Sequence, residues 1–205
     1  MIIPIEIQNE ISKYMYNIID VINMHNQSKN HQIEIRIINL YSANEKDSHK
    51  LSFKLTQNII EQKKFRNIEK LNVCHNSKII NVNHIKETLK VLKCGYNCGI
   101  DQAGIFELKL TKFDATNNSK IKNINHMKET LKILICNSKC GIDQYGISKL
   151  NLRELDASHN EKIFNVNHMK ETLKILCCMW NCGIDQDGIS QLNLQNLISE
   201  YNNKI

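Results

Sequence analysis

Cysteines recur in pairs with three residues between them, and thiols at such a spacing are potential metal ligands. The pairs are Cys94 and Cys98, Cys136 and Cys140, and Cys178 and Cys182. A zinc site needs four convergent ligands, and each pair supplies only two. The first cysteine of each pair also takes a position that small apolar residues take elsewhere in the chain. We therefore predict buried structural thiols, and neither a metal nor a cofactor.

Histidines and aspartates recur at the same spacing as the cysteine pairs. They are His84, His126 and His168, and Asp101, Asp143 and Asp185. The histidines are expected to lie about 10 Å apart, which is too far for one metal, so we predict solvated or helix-capping roles. The aspartates are predicted to cap turns and not to form an acid and base pair. Because no phosphate-binding glycine loop, nucleophile elbow or metalloprotease motif is present, we predict that the protein is not an enzyme.

The composition excludes further classes of function. The chain of 205 residues has a net charge of +6, but basic and acidic residues are interspersed, so nucleic-acid binding is not indicated. No apolar run approaches the roughly 18 residues of a membrane-spanning helix, and the N-terminus lacks the basic residues of a signal peptide. We therefore predict an intracellular protein with reduced cysteines and with neither a nucleic-acid nor a membrane partner.

The recurring residues belong to an internal repeat. The segment N-V-N-H-I-K-E-T-L-K from Asn81 returns in similar form from Asn123 and Asn165, a step of 42 residues. Each 42-residue repeat divides into two units of 21 residues, which read L-x-x-L-x-(small or apolar)-x-x-N with one Lys in place of Asn. The apolar residues that open the units are Ile68, Leu89, Leu110, Leu131, Leu152, Leu173 and Leu194.

This unit resembles the leucine-rich repeat. The fourth and sixth positions are expected to point from a short strand into a shared core, and the Asn at the ninth position to form a hydrogen-bonded ladder. After the Asn, units of a first subtype suit 3₁₀ or irregular turns. Units of a second subtype, with C-G-I-D-Q-x-G-I, resemble the cysteine-containing repeats common in F-box proteins. We therefore predict an α/β leucine-rich-repeat solenoid with short parallel β-strands and an irregular or 3₁₀ convex side.

The concave face of such a solenoid normally binds the partner. It is formed by the strand positions that point away from the core, together with the eighth position, and here it is rich in Ile, Met and aromatic residues. The alternative is isoleucine scattered by an AT-rich genome. The residues predicted to bind a target protein are Val91, Lys93, Tyr96, Ile133, Ile135, Ile175, Cys177, Met179, Trp180, Ile198 and Tyr201.

The N-terminal segment carries a different motif. I-P-I-E-I-x-x-x-I-x-x-Y-M, followed by Asp20, resembles the start of an F-box, and the whole chain resembles the F-box and leucine-rich-repeat proteins of mimivirus-type giant viruses. The resemblance implies a substrate adaptor in the host cytoplasm or nucleus, which docks on the Skp adaptor of a cullin ubiquitin ligase. The docking residues would be Ile3, Pro4, Ile5, Ile7 and Ile11. The Cys and Trp that usually end an F-box are absent, so an alternative is a helical cap on a stand-alone binding or scaffold module.

Three regions follow from these patterns. Residues 1–32 form the F-box-like helical segment, and residues 33–67 form an irregular capping repeat. In that repeat we predict a strand over Ile33–Ile38 and an amphipathic helix from Leu51 to Lys63. Residues 68–205 form seven repeat units, of which the last is truncated, so its core layer is expected to be partly exposed. Fraying, self-association or a shortened family member are the expected consequences.

Overall fold

A computed structural model of the protein describes residues 55–205 and the backbone of residues 39–40. The F-box-like segment, with Ile3, Pro4, Ile5, Ile7 and Ile11, lies outside the described residues. The predicted strand over residues 33–38 and the first part of the predicted helix after Leu51 also lie outside them.

The described residues form one sheet of eight short parallel strands, which lie side by side in chain order. The α/β class with parallel strands is therefore confirmed. The strands are β1 (Asn39–Leu40), β2 (Lys70–Asn72), β3 (Val91–Lys93), β4 (Lys112–Asp114), β5 (Ile133–Ile135), β6 (Glu154–Asp156), β7 (Ile175–Cys177) and β8 (Asn196–Ile198).

The register of the sheet repeats the sequence period. Leu71, Leu92 and Phe113 pair with one another across β2, β3 and β4, and the same pairing continues to Leu197 on β8. Because side chains alternate along a strand, the residue in the middle of each of the strands β2 to β8 points toward the core and its neighbours point away. The inward fourth and sixth positions are buried from Leu71 to Cys178, as predicted.

Short helical turns form the opposite side of the repeat array, which we call the helical side. Within the described residues they are three single α-helical turns and five 3₁₀ turns, in agreement with the predicted irregular or 3₁₀ side. The α-turns are α1 (Gln57–Ile60), α2 (Gln144–Ile147) and α3 (Gln186–Ile189), and the 3₁₀ turns are Lys63–Phe65, Asn83–Ile85, Ala103–Ile105, Asn125–Met127 and Asn167–Met169.

One continuous core runs between the sheet and the helical side, from Leu55 to Ile189. Each unit contributes its opening residue, its two inward strand residues and the spaced Ile, Val or Met residues that follow. Each strand is only two or three residues long, so a single unit has no core of its own and the layers are stable only when stacked. On β8, Leu197 belongs to the last described layer and is 38% exposed.

The predicted asparagine ladder forms in every second unit. Asn118 donates to the carbonyls of Cys94 and Ile100 at 2.8 and 3.0 Å, and its Oδ1 accepts from the N–H of Lys120. Equivalent bonds are made by Asn160 and Asn202, while Asn76 donates to the carbonyl of Leu55. All four asparagines belong to the first subtype of unit and are buried.

The ladder prediction is wrong for Asn97 and Asn181, which are exposed. In these second-subtype units the next residue, Cys98 or Cys182, is buried in its place. The following glycine then makes the contact through its backbone, since the N–H of Gly183 donates to the carbonyl of Asn160 at 3.1 Å. A Cβ on Gly183 would lie 2.5 Å from the carbonyl oxygens of Glu161 and Ile163. The Cys-Gly pair thus replaces an asparagine side chain with a close backbone contact.

Residues 55–67 complete an irregular unit in front of the repeats. β1 pairs with β2 so that Leu40 aligns with Leu71, 31 residues further on. The single continuous helix predicted from Leu51 to Lys63 is wrong within the described residues, because Leu55 and Thr56 are not helical and α1 is one turn long. The carbonyl of Leu55 accepts a hydrogen bond from the side chain of Asn76. In a continuing helix this carbonyl would instead accept from a backbone N–H of the next turn.

Candidate protein-binding face

The glutamine of the I-D-Q motif holds successive repeats together on the helical side. Oε1 of Gln144 accepts from the N–H groups of Phe164 and Asn165, and Nε2 donates to the carbonyl of Asn165. Gln102 makes the same three bonds to the repeat that follows it. Gln57 also makes them, although no motif surrounds it. Sequence reasoning missed Gln57, which is identified by its three hydrogen bonds to Ile80 and Asn81.

The recurring Asn-His dipeptide forms a second set of hydrogen bonds between units. Nδ2 of Asn125 donates to the carbonyl of Tyr145, and Oδ1 accepts from the N–H of Lys149. Nε2 of His126 lies 3.1 Å from the carbonyl oxygen of Ile105 and therefore donates to it. Burial lowers the pKa of His126 and of His168. His84 and His168 make the same bond to the carbonyls of Ile60 and Ile147, so each histidine is bonded to the preceding unit.

The aspartates of the same motif are capping residues, as predicted. Asp143 precedes α2, and its side chain accepts from the N–H of Gly146 at 2.9 Å. Asp185 caps α3 through Gly188 in the same way, and Asp101 accepts from Gly104. Each carboxylate satisfies a backbone donor that the first turn leaves free.

The paired cysteines are buried, which confirms their predicted role as small core residues. Burial raises the pKa of Cys98 and Cys140 to about 11, and it raises the pKa of Cys94 and Cys136 further. A thiol with a raised pKa is a poor nucleophile and a poor metal ligand. Within residues 55–205, no three His, Cys, Asp or Glu side chains form a group that could hold a metal ion.

The other surface of the array, which we call the sheet face, consists of the third, fifth, seventh and eighth positions of each unit. All eleven residues predicted to bind a target lie there. Val91 and Lys93 lie on β3, Ile133 and Ile135 on β5, and Ile175 and Cys177 on β7. Ile198 lies on β8, and Tyr96, Met179, Trp180 and Tyr201 follow the strands.

The eighth residue of every unit has a left-handed backbone, although none is a glycine. These residues are His75, Tyr96, Asn117, Ser138, His159, Trp180 and Tyr201, with φ between 49° and 62°. Asn and His tolerate this region better than bulky residues, which pay roughly 1 to 2 kcal/mol for it. Stacking of the units imposes the left-handed backbone at every eighth position. It does not explain why Trp and Tyr occupy three of these positions.

The aromatic residues of this row stack on one another. Trp180 lies between His159 and Tyr201, with ring centroids 5.3 and 4.5 Å away and planes within 17° of parallel. His75 and Tyr96 stack in the same way at 4.9 Å. Trp180 is nonetheless 42% exposed and Tyr201 69% exposed. The sheet face therefore carries a rigid aromatic ridge over its last three units.

Acidic residues on the sheet face were missed by the sequence reasoning, which named residues mainly from second-subtype units. Asp114 on β4, and Glu154 and Asp156 on β6, occupy the same strand positions in first-subtype units. Asp114 is buried and accepts from the N–H and hydroxyl of Thr116. The 21-residue spacing was sufficient to identify all three residues.

These features define a repeat protein of stacked parallel strands. The side chains of its helical side bond successive units, and its sheet face is exposed. The chain matches no protein-family model and no curated protein. None of the described helices is long and apolar enough to cross a membrane.

Proposed function

We propose that this protein is a leucine-rich-repeat solenoid that binds another protein through its sheet face. The observation that carries the proposal is the ridge of Trp180 and Tyr201, which stays exposed beside aliphatic residues on a rigid sheet. Exposed aromatic and aliphatic side chains held by a fixed framework are typical of the centres of protein interfaces. The proposal gives the chain no catalytic step and no cofactor.

We further propose that the N-terminal segment makes the protein a substrate adaptor of a cullin ubiquitin ligase. The support is the F-box-like motif, in which Ile3, Pro4, Ile5, Ile7 and Ile11 would contact the Skp adaptor. The resemblance to giant-virus F-box proteins would put this activity in the host cytoplasm or nucleus. In this arrangement the two ends of the chain have separate partners.

A pull-down with purified Skp adaptor tests the ligase connection. The full chain should retain the adaptor, and a Pro4→Ala/Ile7→Asp variant should not. Trp180→Ala is the matched control, because it alters only the sheet face and should retain the adaptor fully. Absence of adaptor binding by the full chain would refute the ligase connection.

A second comparison tests target binding. The Trp180→Ala variant should fail to bind proteins that the wild type captures. Its melting temperature should stay close to that of the wild type, because the Trp180 ring is partly exposed. Tyr145→Ala is the control, since Tyr145 is an aromatic residue on the helical side and is 82% exposed. Unfolding of the Trp180→Ala variant would instead mark Trp180 as a core residue.

A stand-alone binding module is the second candidate. The pairing of β1 with β2, and the hydrogen bonds of Gln57 to the first repeat, favour it, because the N-terminal part then continues the array as a cap. On this reading Pro4→Ala/Ile7→Asp would change the thermal stability of the chain, and the full chain would not retain the Skp adaptor.

A further inference from the structure

Two histidines of the sheet face stack on an aromatic ring of the following unit. The ring centroids of His159 and Trp180 are 5.3 Å apart, and their planes differ by 8°. His75 and Tyr96 form the same arrangement at 4.9 Å and 9°. His159 is exposed, so its ring exchanges protons with the solvent. The aromatic ridge therefore includes one side chain that can change its charge.

Protonation of His159 changes the chemical character of the ridge. Histidine is the side chain whose charge ordinarily changes between pH 5 and 8. A cation within about 6 Å of the centroid of a Trp ring is attracted to the face of that ring. The distance between His159 and Trp180 lies inside this limit. The imidazolium would therefore stay stacked on Trp180, and the ridge would change from neutral to positively charged.

The acidic residues around His159 do not pair with it. Within residues 55–205 every ion pair joins a lysine to an aspartate or glutamate, and none includes His159. Asp156 on β6 instead accepts from the N–H of Ser158 at 3.0 Å. Glu161 follows in the same unit and Glu200 lies in the last unit, and both are exposed. A positive charge on His159 would thus not be cancelled by a carboxylate in contact with it.

The other groups of the three adjoining units add no negative charge. Lys139 lies in the preceding unit, and Lys162 in the same unit donates from Nζ to a backbone carbonyl. In the following unit the carbonyl of Met179 accepts from the backbone N–H of His159 at 3.1 Å. Cys177 on β7 is a neutral thiol, since burial raises its pKa. Protonation of His159 therefore leaves a net positive charge beside the Trp ring.

A partner that covers the aromatic ridge removes water from His159. A neutral imidazole loses little by this, whereas an unpaired positive charge that leaves water costs much more free energy. Ile175 and Ile198 lie on β7 and β8, the strands that lead to Trp180 and Tyr201, and their side chains cannot accept a hydrogen bond from an imidazolium. An apolar partner surface should therefore bind the neutral form of His159 more tightly.

We propose that protonation of His159 controls binding at the aromatic ridge, which holds an apolar surface of a partner protein at neutral pH and releases it near pH 5.5. The proposal concerns the regulation of the sheet face and rests on the proposed function of that face as a protein-binding surface. The proton comes from the solvent and returns to it, and no covalent bond of the chain changes.

The fluorescence of Trp180 measures the state of the ridge directly. Trp180 is the only tryptophan of the chain, so selective excitation of tryptophan reports on this stack alone. A protonated imidazole in contact with an indole ring quenches its fluorescence, and the intensity should therefore fall as the pH is lowered from 7.5 to 5.5. Added iodide should quench the remaining emission more strongly at pH 5.5 than at pH 7.5, because a positive ridge attracts the anion, and caesium should show the opposite change.

His159→Tyr is the decisive variant, because it keeps a ring at this position and removes the change of charge. Tyrosine is compatible with the left-handed backbone, since Tyr96 and Tyr201 occupy the same position of their units. His75→Tyr is the matched control, with the same substitution in the other stacked pair. The fluorescence of His159→Tyr should be the same at both pH values, whereas His75→Tyr should follow the wild type. His159→Asn, with the residue type of Asn117, repeats the comparison without a ring, and circular dichroism at both pH values checks the fold.

Capture from a cell extract tests the consequence for binding. Proteins that the immobilised wild type retains at pH 7.5, and that Trp180→Ala does not retain, should bind about tenfold more weakly at pH 5.5. The His159→Tyr variant should retain them equally at both pH values.

The outcomes separate the proposal from the function on which it rests. If the fluorescence of His159→Tyr depends on pH as that of the wild type does, the proposal is refuted and the function stands. The same holds if Trp180-dependent capture is equal at pH 7.5 and 5.5. If no capture depends on Trp180 at pH 7.5, the proposed function fails, and the proposal fails with it.

Discussion

The two sides of this molecule use the repeat in opposite ways. On the helical side, the residues whose side chains bond the adjacent unit are the same in the three 42-residue repeats, as in His84, His126 and His168. On the sheet face the corresponding residues differ, and the third position of the first-subtype units is Lys70, Lys112, Glu154 or Asn196. The stacked units are alike in backbone on both sides, so the difference lies in what the side chains contact.

Residues on the helical side bond the backbone of the adjacent unit. Gln144 and Asn125 each satisfy backbone groups that every unit presents at the same place, so the same side chain is required each time. The sheet strands already pair through their own backbone, and their outward side chains face solvent. Repetition on the helical side therefore marks the residues that stack the array, whereas exposed positions whose side chains make no bond to another unit vary there too, as Ala103, Tyr145 and Asp187 do. Four predictions test this contrast.

The largest effect is expected at Gly146, where two units approach most closely. A Cβ there would lie 2.0 Å from the carbonyl oxygen of Lys122, and that atom belongs to a backbone that cannot move freely. Gly146→Ala should lower the free energy of unfolding by about 3 kcal/mol. Urea denaturation would measure the change, and Tyr145→Ala, one residue away and exposed, should have little effect. Equal stability of wild type and Gly146→Ala would contradict the close approach.

The second prediction compares two asparagines at the same position of the sequence motif. Asn160 is buried and donates to the carbonyls of Cys136 and Ile142, whereas Asn181 is exposed. Asn160→Ala should cost about 2 kcal/mol, because it leaves buried carbonyls without a donor. Asn181→Ala should cost less than about 0.5 kcal/mol. A similar loss of stability in both variants would show that Asn181 also belongs to the ladder, as the motif alone predicts.

The third prediction uses two adjacent cysteines on opposite surfaces of the sheet. Cys178 is buried and its pKa is raised to about 12 by burial, whereas Cys177 is partly exposed. Cys178→Ser should cost about 1.5 kcal/mol, and Cys177→Ser less than about 0.5 kcal/mol.

Alkylation with iodoacetamide, followed by mass spectrometry, provides an independent readout of the same pair. In the native protein Cys177 should react before any other cysteine of residues 55–205. Burial and nearby Asp156 raise its pKa, so its rate should increase with pH. Early modification of Cys178 in the folded protein would show that the core is open.

The smallest effect is expected from the histidines of the helical side. The folded protein lowers the pKa of His126 and His168 below their ordinary value of 6.5, mainly by burial. The unfolded chain therefore takes up protons first as the pH falls. Stability is complete above pH 6.5 and decreases as the pH falls toward the lowered pKa values. Thermal melts at pH 7.5 and 5.5 should show a slightly smaller decrease for His126→Gln/His168→Gln than for the wild type, and identical decreases would contradict this.

The parts of the fold that were predictable depend on local spacing. Alternation along a strand is a property of the extended backbone, so the inward fourth and sixth positions followed from the motif. The asparagine ladder was predicted only in part, because the motif cannot reveal whether an asparagine meets a carbonyl, as Asn160 does, or solvent, as Asn181 does. Gln57 was not predictable, since its three bonds depend on an irregular unit that brings it beside Ile80.

The contrast between Asp114 and Asp156 separates the two sources of information. Sequence alone assigns both to the same outward strand position, because a 21-residue step preserves the face on which a side chain lies. The same period predicts that Lys93 lies beside Asp114 and that isoleucine and cysteine flank Asp156. Only the assembled sheet decides that Nζ of Lys93 comes within 3.9 Å of the Asp114 carboxylate. The position of a residue within its unit is a local property of the sequence. The charges that surround its side chain are set by the strands packed beside it.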